Sequence, residues 1–288
     1  MKIKVPATTA NLGPGFDSIG MAVSLFLTVE ILEPTSAWYI EHTLGPKIPT
    51  NENNLVINTA LQVAPQLNPH HLKMKTDIPV TRGLGSSSSA IVAGIEVANQ
   101  LANLHLTDDQ KLDYACKIEG HPDNVAPAIL GSLVIGTDID GHFKAVRASF
   151  PALALIAYIP SYELKTSDSR DILPQQITFK AATHASSIAN TFVAALLIND
   201  YKLAGQLIEA DEFHEPFRQK LVPELLPIRQ IAHECDAIGT YLSGAGPTVM
   251  TILPPEKVAN FVDQLSQHGF DDIAVQLKIE SDGVTVTK

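Results

Sequence analysis

Cysteine is scarce in this chain. Cys116 and Cys235 are the two among 288 residues, and their spacing makes neither a metal pattern nor a redox pattern. A disulfide framework is thereby excluded, and both thiols read as reduced packing residues of a cytoplasmic protein. Basic charge is short as well: 20 Lys and Arg stand against 31 Asp and Glu, a formal net charge of −11 that argues against a nucleic-acid surface. No apolar run reaches a membrane span, since Ala152–Ile159 is only strand length. The opening Met1-Lys2-Ile3-Lys4-Val5 turns polar too soon for a signal peptide. Internal repeats and low-complexity tracts are missing too. What these absences leave is a soluble chain, 45% hydrophobic, long enough for one large domain or two ordinary ones.

One stretch organises what is present: Pro79-Val80-Thr81-Arg82-Gly83-Leu84-Gly85-Ser86-Ser87-Ser88-Ser89. Ahead of it, Leu72, Met74, Thr76, Ile78 and Val80 alternate with Lys73, Lys75, Asp77 and Pro79, the period of a half-buried strand. Behind it, Ala90–Leu104 is apolar on nearly all sides, as in a buried helix. Gly83 and Gly85 let the backbone approach a ligand closely or take a positive φ. The serines place hydroxyls and free N–H groups at the first turn of the helix, where phosphate is the natural guest. Two commoner phosphate motifs do not fit. No Lys follows Gly85 as a P-loop requires, and Ser88 stands where the dinucleotide fingerprint wants its third glycine. A plain strand-to-helix turn with a serine cap is the alternative. One serine would suffice for that, so four in a row favour phosphate.

Along the rest of the chain, Lys2–Val5 reads as a strand ended by Pro6. Ala7–Asp17 is dense in turn formers: either a surface loop or a substrate loop in which Asn11 and Asp17 donate and accept at fixed positions. Ala22–Leu32 and Trp38–His42 read as strands that pair with each other, and Asn53–Val56 leads into a helix through Ala64. Thr107-Asp108-Asp109-Gln110 is a capping box for a helix to Glu119, which Gly120 ends and Pro122 keeps from resuming. The polar cluster Glu119, His121, Asp123, Asn124 has two readings. It is a helix stop with Asp123 capping a helix from Val125 to Leu130, or it is a site for a metal and a hydroxyl group. Ser132–Gly136 is a strand, Asp138–Gly141 a hairpin turn, and Ala152–Ile159 a buried strand beside a domain boundary. Beyond it come a polar connection, Ser161–Pro174, containing Thr166 and Arg170, and a helix over Ala181–Ile198. A helical segment is broken at Pro216 within Asp211–Arg218. The strands Thr240–Leu242 and Val249–Leu253 are joined by the glycine turn Ser243–Thr248. A helix over Lys257–His268 and a strand over Ile273–Leu277 complete an α+β pattern.

The run Pro79–Ser88 resembles the nucleotide motif of the GHMP kinases, Ala7–Asp17 their first motif, and Ser243-Gly244-Ala245-Gly246-Pro247-Thr248 their third. All occur in family order between positions 6 and 248. His121-Pro122-Asp123-Asn124-Val125-Ala126-Pro127 is similar to the signature of the homoserine kinase branch. Arg170 and Arg218, each unremarked alone, stand at positions resembling the two arginines of that branch. The resemblance implies an α+β, two-domain GHMP kinase fold: a ribosomal S5 domain 2-like N-terminal domain over residues 1–154 and a ferredoxin-like C-terminal domain over 155–288. It implies ATP held by Pro79 through Ser89 with Gly244 and Gly246, in the cleft between the domains, with Asn53–Val56 near the adenine. Net negative charge gives ATP no long-range attraction, so local donors and a metal must hold it.

By the same resemblance Ser86, Ser87 and Glu119 hold Mg²⁺, Asp17 with Asn11 receives an ammonium, and Arg170 and Arg218 grip a carboxylate. His121 and Asn124 position the hydroxyl of L-homoserine, and Asp123 is either a base or a cap. We expect transfer without a carboxylate base, Asp123 capping the helix from Val125. The family also implies a homodimer. Two alternatives stay open, a kinase for another small alcohol such as mevalonate and a catalytically silent ligand sensor of the same fold.

Overall fold

The computed structural model describes residues 1–151 and 153–288. Ala152, expected to open a buried strand, lies outside the described residues. The first half runs β1 (Lys2–Ala10), β2 (Ile19–Pro34), β3 (Tyr39–Glu41), α1 (Leu55–Val63), β4 (His70–Thr76), α2 (Ser86–Leu101), α3 (Asp108–Glu119), α4 (Pro122–Leu130), β5 (Leu133–Ile139) and β6 (His142–Ala148). The second runs β7 (Ala154–Ile159), α5 (Thr166–Asp171), α6 (Phe179–Leu197), α7 (Tyr201–Ile208), α8 (Glu215–Arg218), α9 (Leu225–Glu234), β8 (Gly239–Leu242), β9 (Val249–Leu253), α10 (Val258–Gln267), β10 (Ile273–Leu277) and β11 (Thr285–Thr287). Among the described residues no helix is long and apolar enough to cross a membrane.

Two sheets carry these elements. The larger has the order β11-β1-β2-β4-β3, with β5 paired to the far end of β2 and β6 to β5; the smaller is β10-β7-β9-β8. α2 and α4 cover the first sheet and α1 packs on α2, and Ile3, Val5, Val29, Ile57, Ile91, Val97, Ala126 and Ile129 form one apolar core. α9 and α10 cover the second, with Ile228, Ile231, Phe261 and Leu265 against Tyr158, Leu242 and Val249. Phe192 and Leu196 of α6 and Ile208 of α7 join the first core, so the two layers share apolar surface. The strand pairing departs from an uninterrupted 155–288 unit, because β11 returns to pair with β1 (Ile3 opposite Val286).

Several elements differ from expectation for identifiable reasons. Pro6 does not end β1; the strand continues to Ala10 through a register shift between Pro6 and Ala7 that absorbs the missing donor. That extension delivers Asn11 to the cleft. β3 does not pair with β2, whose flanks are taken by β1 and β4; it adds instead to β4, in parallel. The serine run forms the start of α2 as expected, but the helix ends at Leu101 rather than Leu104. Pro216 does not break a helix but occupies the first turn of α8, where its missing N–H costs nothing. Other signals held: the helix after Asn53 forms as α1, with Asn54 as its cap, and Thr107 with Gln110 closes a capping box on α3, which Gly120 ends in the left-handed region. Asp140-Gly141 turns the β5–β6 hairpin with both φ values positive.

Gly20 in β2 seats α4, and with it the cluster at 121–124. A Cβ at Gly20 would fall 1.6 Å from the Asp123 carbonyl oxygen, backbone against backbone. Gly20→Ala should therefore destabilise the protein by about 1–3 kcal/mol, the usual cost of overpacking. Gly136→Ala meets Pro122 ring carbons at 3.1 and 3.2 Å and the Lys144 carbonyl oxygen at 3.4 Å, an ordinary contact, and should cost less. Thermal unfolding of both variants checks the order; equal midpoints would contradict the close seating.

Candidate active site

The three glycine- and serine-bearing segments meet in one cleft of about 660 Å³. Gly83 and Gly85 both take positive φ, 75° and 69°. A Cβ on Gly83 would meet the Ser243 carbonyl at 2.4 Å, and one on Gly85 would meet Thr8 Oγ1 at 2.0 Å, so glycine is required at each. The turn after β8 is stitched to this loop: Ser243 Oγ donates to the Gly83 carbonyl at 2.6 Å and Thr248 Oγ1 to that of Arg82 at 2.5 Å. The segment after β1 joins both, with Asn11 Nδ2 donating to the Gly244 carbonyl at 3.1 Å and Gly244 N–H to that of Ala10 at 3.1 Å. Gly85 is the N-cap of α2 and has no side chain to accept from the first turn. The leading N–H groups of the serine run are therefore free for an anion.

Not every residue of the loop faces this space. Gly83, Gly85, Ser86, Ser87, Ser88 and Thr81 line the cleft, together with Gly244 and Gly246. Leu84 is fully buried core, and Ser89 is buried with its hydroxyl on the Pro6 carbonyl at 2.9 Å. Arg82 turns away and clamps the start of the second half, donating to the carbonyls of Pro160 (3.1 Å) and Ser161 (2.7 Å). Pro79 faces neither this cleft nor its neighbour. Val80 lines the neighbour, an apolar recess of about 840 Å³ walled by Leu44, Ile48, Met74, Ile78 and the Asn53–Val56 segment. Thr81, Ser86 and Ser87 border both spaces.

Glu119 ends α3 beside the serine run. Ser88 Oγ, rather than the hydroxyl of Ser86 or Ser87, donates to Glu119 Oε1 at 2.9 Å. Burial pushes the Glu119 carboxyl above its ordinary range. His121 and Arg170, the cations that influence it, are paired with Asp123 and Asp17 instead. A half-buried carboxylate without a cation of its own, flanked by serine hydroxyls, is an all-oxygen donor set suited to a hard divalent ion. A second convergence, Asp17, His121 and Asp123, brings its ligand atoms within 4.8 Å of one another, but its charges are already matched by protein partners.

α4 begins at Pro122, with His121 as its N-cap residue, and no side chain caps it. The expectation that Asp123 caps a helix from Val125 is thus corrected. Asp123 sits inside the first turn, and its carboxylate binds His121 Nδ1 and accepts from Asn124 Nδ2 at 3.3 Å. Sequence could not favour the cap over this pairing, because both place an Asp just after a helix stop. Burial alone would lower the His121 pKa, but the bond and charge of Asp123 outweigh it and raise the value. Thr8, inside the Ala7–Asp17 motif but not singled out in it, donates to Asn124 Oδ1 at 2.8 Å and fixes the amide's orientation.

Opposite stand the two arginines. Arg170 forks onto Asp17, with Nη2–Oδ1 at 2.8 Å and Nη1–Oδ2 at 3.0 Å. The bond to Asp17 raises the Arg170 pKa. Arg218 is 2% exposed and is held by the carbonyls of Ser169 (Nε, 3.0 Å) and Gly244 (Nη1, 3.0 Å). Burial, and then the neighbouring Arg170 charge, push its pKa down to about 10. Asn11 and Asp17 both adopt positive φ, 71° and 55°, and Asn11 Oδ1 accepts from the Asp17 N–H at 3.2 Å. Ala245 of the third motif also lines the cleft, as does Leu164, which carried no signal in the sequence.

Comparison with known proteins bears on this arrangement. Residues 54–132 match the model of the GHMP kinases N terminal domain, and residues 192–271 that of the GHMP kinases C terminal domain. The chain is 54% identical over 286 residues to the homoserine kinase of Lactobacillus acidophilus, covering 99% of each chain. It is 56% identical over 286 residues to that of Streptococcus thermophilus, covering 99% of this chain and 100% of the relative. Among solved structures it superposes on homoserine kinase from Cytophaga hutchinsonii with a TM-score of 0.86 at 27% identity, covering 100% of this chain and 97% of that one. L. major mevalonate kinase in complex with R-mevalonate, 19% identical with a TM-score of 0.75 over 98% and 97% of the two chains, shares the fold.

The raised Glu119 pKa gives a signed expectation. Its folded value lies above the unfolded value, so the carboxyl favours the folded state most when protonated, below the unfolded pKa. That contribution is lost as pH rises through the folded pKa. Glu119→Gln, which can still accept from Ser88, should raise the thermal midpoint of the metal-free protein at pH 7–8. The gain should shrink to nothing as pH falls below the ordinary carboxyl range. A lower midpoint at pH 8 would show that the carboxylate is not an uncompensated charge.

Proposed function

The chain belongs to the GHMP kinases, on their homoserine kinase branch, and from that membership we propose how its cleft transfers the terminal phosphoryl group of ATP to the side-chain hydroxyl of L-homoserine. The product, O-phospho-L-homoserine, lies on the way to threonine. The observation that carries the reading is the grouping of Asp17, Arg170 and buried Arg218 beside the open N-terminus of α2. An amino-acid alcohol brings one ammonium and one carboxylate. The Asp17–Arg170 pair holds the matching charges together, one on the other, ready to be exchanged. The carboxylate takes the guanidinium forks, which suit its two oxygens, and the ammonium takes Asp17 with Asn11 alongside.

The free N–H groups from Gly83 to Ser88 hold the phosphates, with Gly244 and Gly246 closing the loop from the far side, and the apolar recess by Asn53–Val56 takes the base. Glu119 with the hydroxyls of Ser86, Ser87 and Ser88 would hold Mg²⁺; Ser88 joins the expected set because it already bonds Glu119. When bound, the ion neutralises charge on the phosphate oxygens. His121, steadied by Asp123, and Asn124, steadied by Thr8, position the hydroxyl. Asp123 is engaged with His121 rather than held free as a base. A loose phosphoryl transition state asks chiefly for positioning and charge stabilisation. Both thiols are free and buried, in keeping with a cytoplasmic enzyme. The charge pattern disfavours mevalonate, which has no ammonium for Asp17. A silent sensor is disfavoured by the intact loop and its Glu119–Ser88 bond.

Substrate choice tests the charge pattern. Leaving one buried charged partner unsatisfied costs about 1–3 kcal/mol or more. Homoserine should therefore exceed 4-hydroxybutyrate and mevalonate in kcat/KM by at least roughly a hundredfold, the effect of about 2.7 kcal/mol. ADP release across that panel measures it, and equal rates with 4-hydroxybutyrate would remove Asp17 from the ammonium site. Arg218→Ala should cost on the order of 2–5 kcal/mol in homoserine use with ATP affinity nearly unchanged. Arg218→Lys should recover only part, since an ammonium cannot serve two carbonyls and a carboxylate as a fork does. Separate titrations of the two substrates check both variants, and a defect confined to ATP would contradict the assignment.

A further inference from the structure

His214 is fully buried at the back of the cleft and has no part in the reaction as described so far. Its Nε2 lies 3.0 Å from the Gly13 carbonyl oxygen and its Nδ1 lies 3.4 Å from Arg218 Nη1. A carbonyl can only accept and a guanidinium can only donate. The two contacts therefore fix the proton: Nε2–H donates to Gly13, and bare Nδ1 accepts from Arg218. Asp211 Oδ2 lies 3.5 Å from Nε2 but is already used by backbone, accepting the N–H groups of His214 at 2.9 Å and Glu215 at 2.7 Å. Those bonds hold the His214 backbone in place. The imidazole also stacks on Phe16, with centroids 5.3 Å apart, and the Arg218 guanidinium lies 5.2 Å from the same ring. Phe16 immediately precedes Asp17.

We propose that His214, as its neutral Nε2–H tautomer, is the positioning residue that aims Arg218 at the substrate carboxylate and ties that aim to the loop carrying Asp17. Without Nδ1, the guanidinium keeps its bonds to Ser169 and Gly244 but loses the acceptor that fixes its turn about the Nη1 side. The ring touches neither substrate, so its effect runs through Arg218 and belongs to homoserine binding, not to ATP. The proposal rests on reading the cleft as an amino-acid alcohol site.

Two substitutions separate the two ring contacts. The Asn amide oxygen reaches the place of Nδ1, so His214→Asn keeps an acceptor for Arg218. The Gln amide nitrogen reaches the place of Nε2, so His214→Gln keeps the donor to Gly13. The expected result is a homoserine KM within about threefold of wild type for His214→Asn and raised at least tenfold for His214→Gln, with the ATP KM within twofold in both. Adding His214→Ala to Arg218→Ala should change the homoserine KM less than twofold, because the residue acts through an arginine already removed. If His214→Ala does not fold, the Asn and Gln pair, compared at matched thermal midpoints, still decides. Equal KM values for Asn and Gln, or an ATP KM that moves with that of homoserine, overturn the role of His214 while leaving the functional reading intact. Failure of the wild-type protein to phosphorylate homoserine would remove both.

Discussion

A relay of buried hydroxyls holds the cleft together. Tyr241, Thr9 and Ser243 are each fully buried, Thr9 bonds to both of the others at 3.1 and 2.8 Å, and Ser243 ends the run on the Gly83 carbonyl. Since Ser243 gives its proton to Gly83, Thr9 must donate to Ser243 and Tyr241 to Thr9. Each hydroxyl has one proton, so a single direction satisfies the chain, and bonds aligned in this way polarise one another. The relay starts on β8 of the second sheet, passes through β1 of the first, and ends on the glycine loop. The loop's shape, the opening at the start of α2 and the approach of Gly244 all depend on that link. It is fixed in the interior, where water cannot compete for the bonds.

Charge is arranged on the opposite plan. Asp17 and Arg170 satisfy each other at the rim, where partial solvation makes an exchange of partners inexpensive. Arg218 lies deep, bound to backbone carbonyls, and its charge is kept by geometry rather than by a carboxylate. Glu119 is left without a cation of its own. The cleft thus holds one adaptable pair, one fixed cation and one unmatched anion, a set that complements a zwitterion on one side and a metal-bound phosphate on the other.

Much of this was legible in the chain. Gly83 and Gly85 announced close backbone approach, Thr107 with Gln110 announced the start of α3, and Asp140-Gly141 announced a hairpin, because each signal is local and needs only neighbouring residues. Several of the misreadings were settled by partners distant in sequence. Pro6 looked like a strand end until β2 accepted a register shift opposite it. Trp38–His42 was expected beside β2, whose edges were already filled. Asp123 looked like a cap because the competing claim, that of His121, depends on how the helix start is turned. Leu84 and Ser89 share the motif with cleft residues, but Leu84, just ahead of the Gly85 cap, and Ser89, in the first turns of α2, are both buried in the interior. His214 gave no signal at all: a lone histidine in a polar run shows nothing of a carbonyl two hundred positions earlier.

The return of β11 to β1 has a consequence for how the protein is made. β1 is synthesised ahead of β2 to β10, and the partners of Lys2–Lys4, Thr285–Thr287, follow all of them. Until those residues follow, the outer edge of β1 carries unpaired N–H and C=O groups, a template for any extended chain nearby. Closing the sheet then needs contacts such as Lys2 opposite Thr287, 285 positions apart in sequence, the slowest kind to form. The nascent protein is most open to wrong pairing on the strand that delivers Thr8, Thr9 and Asn11 to the cleft.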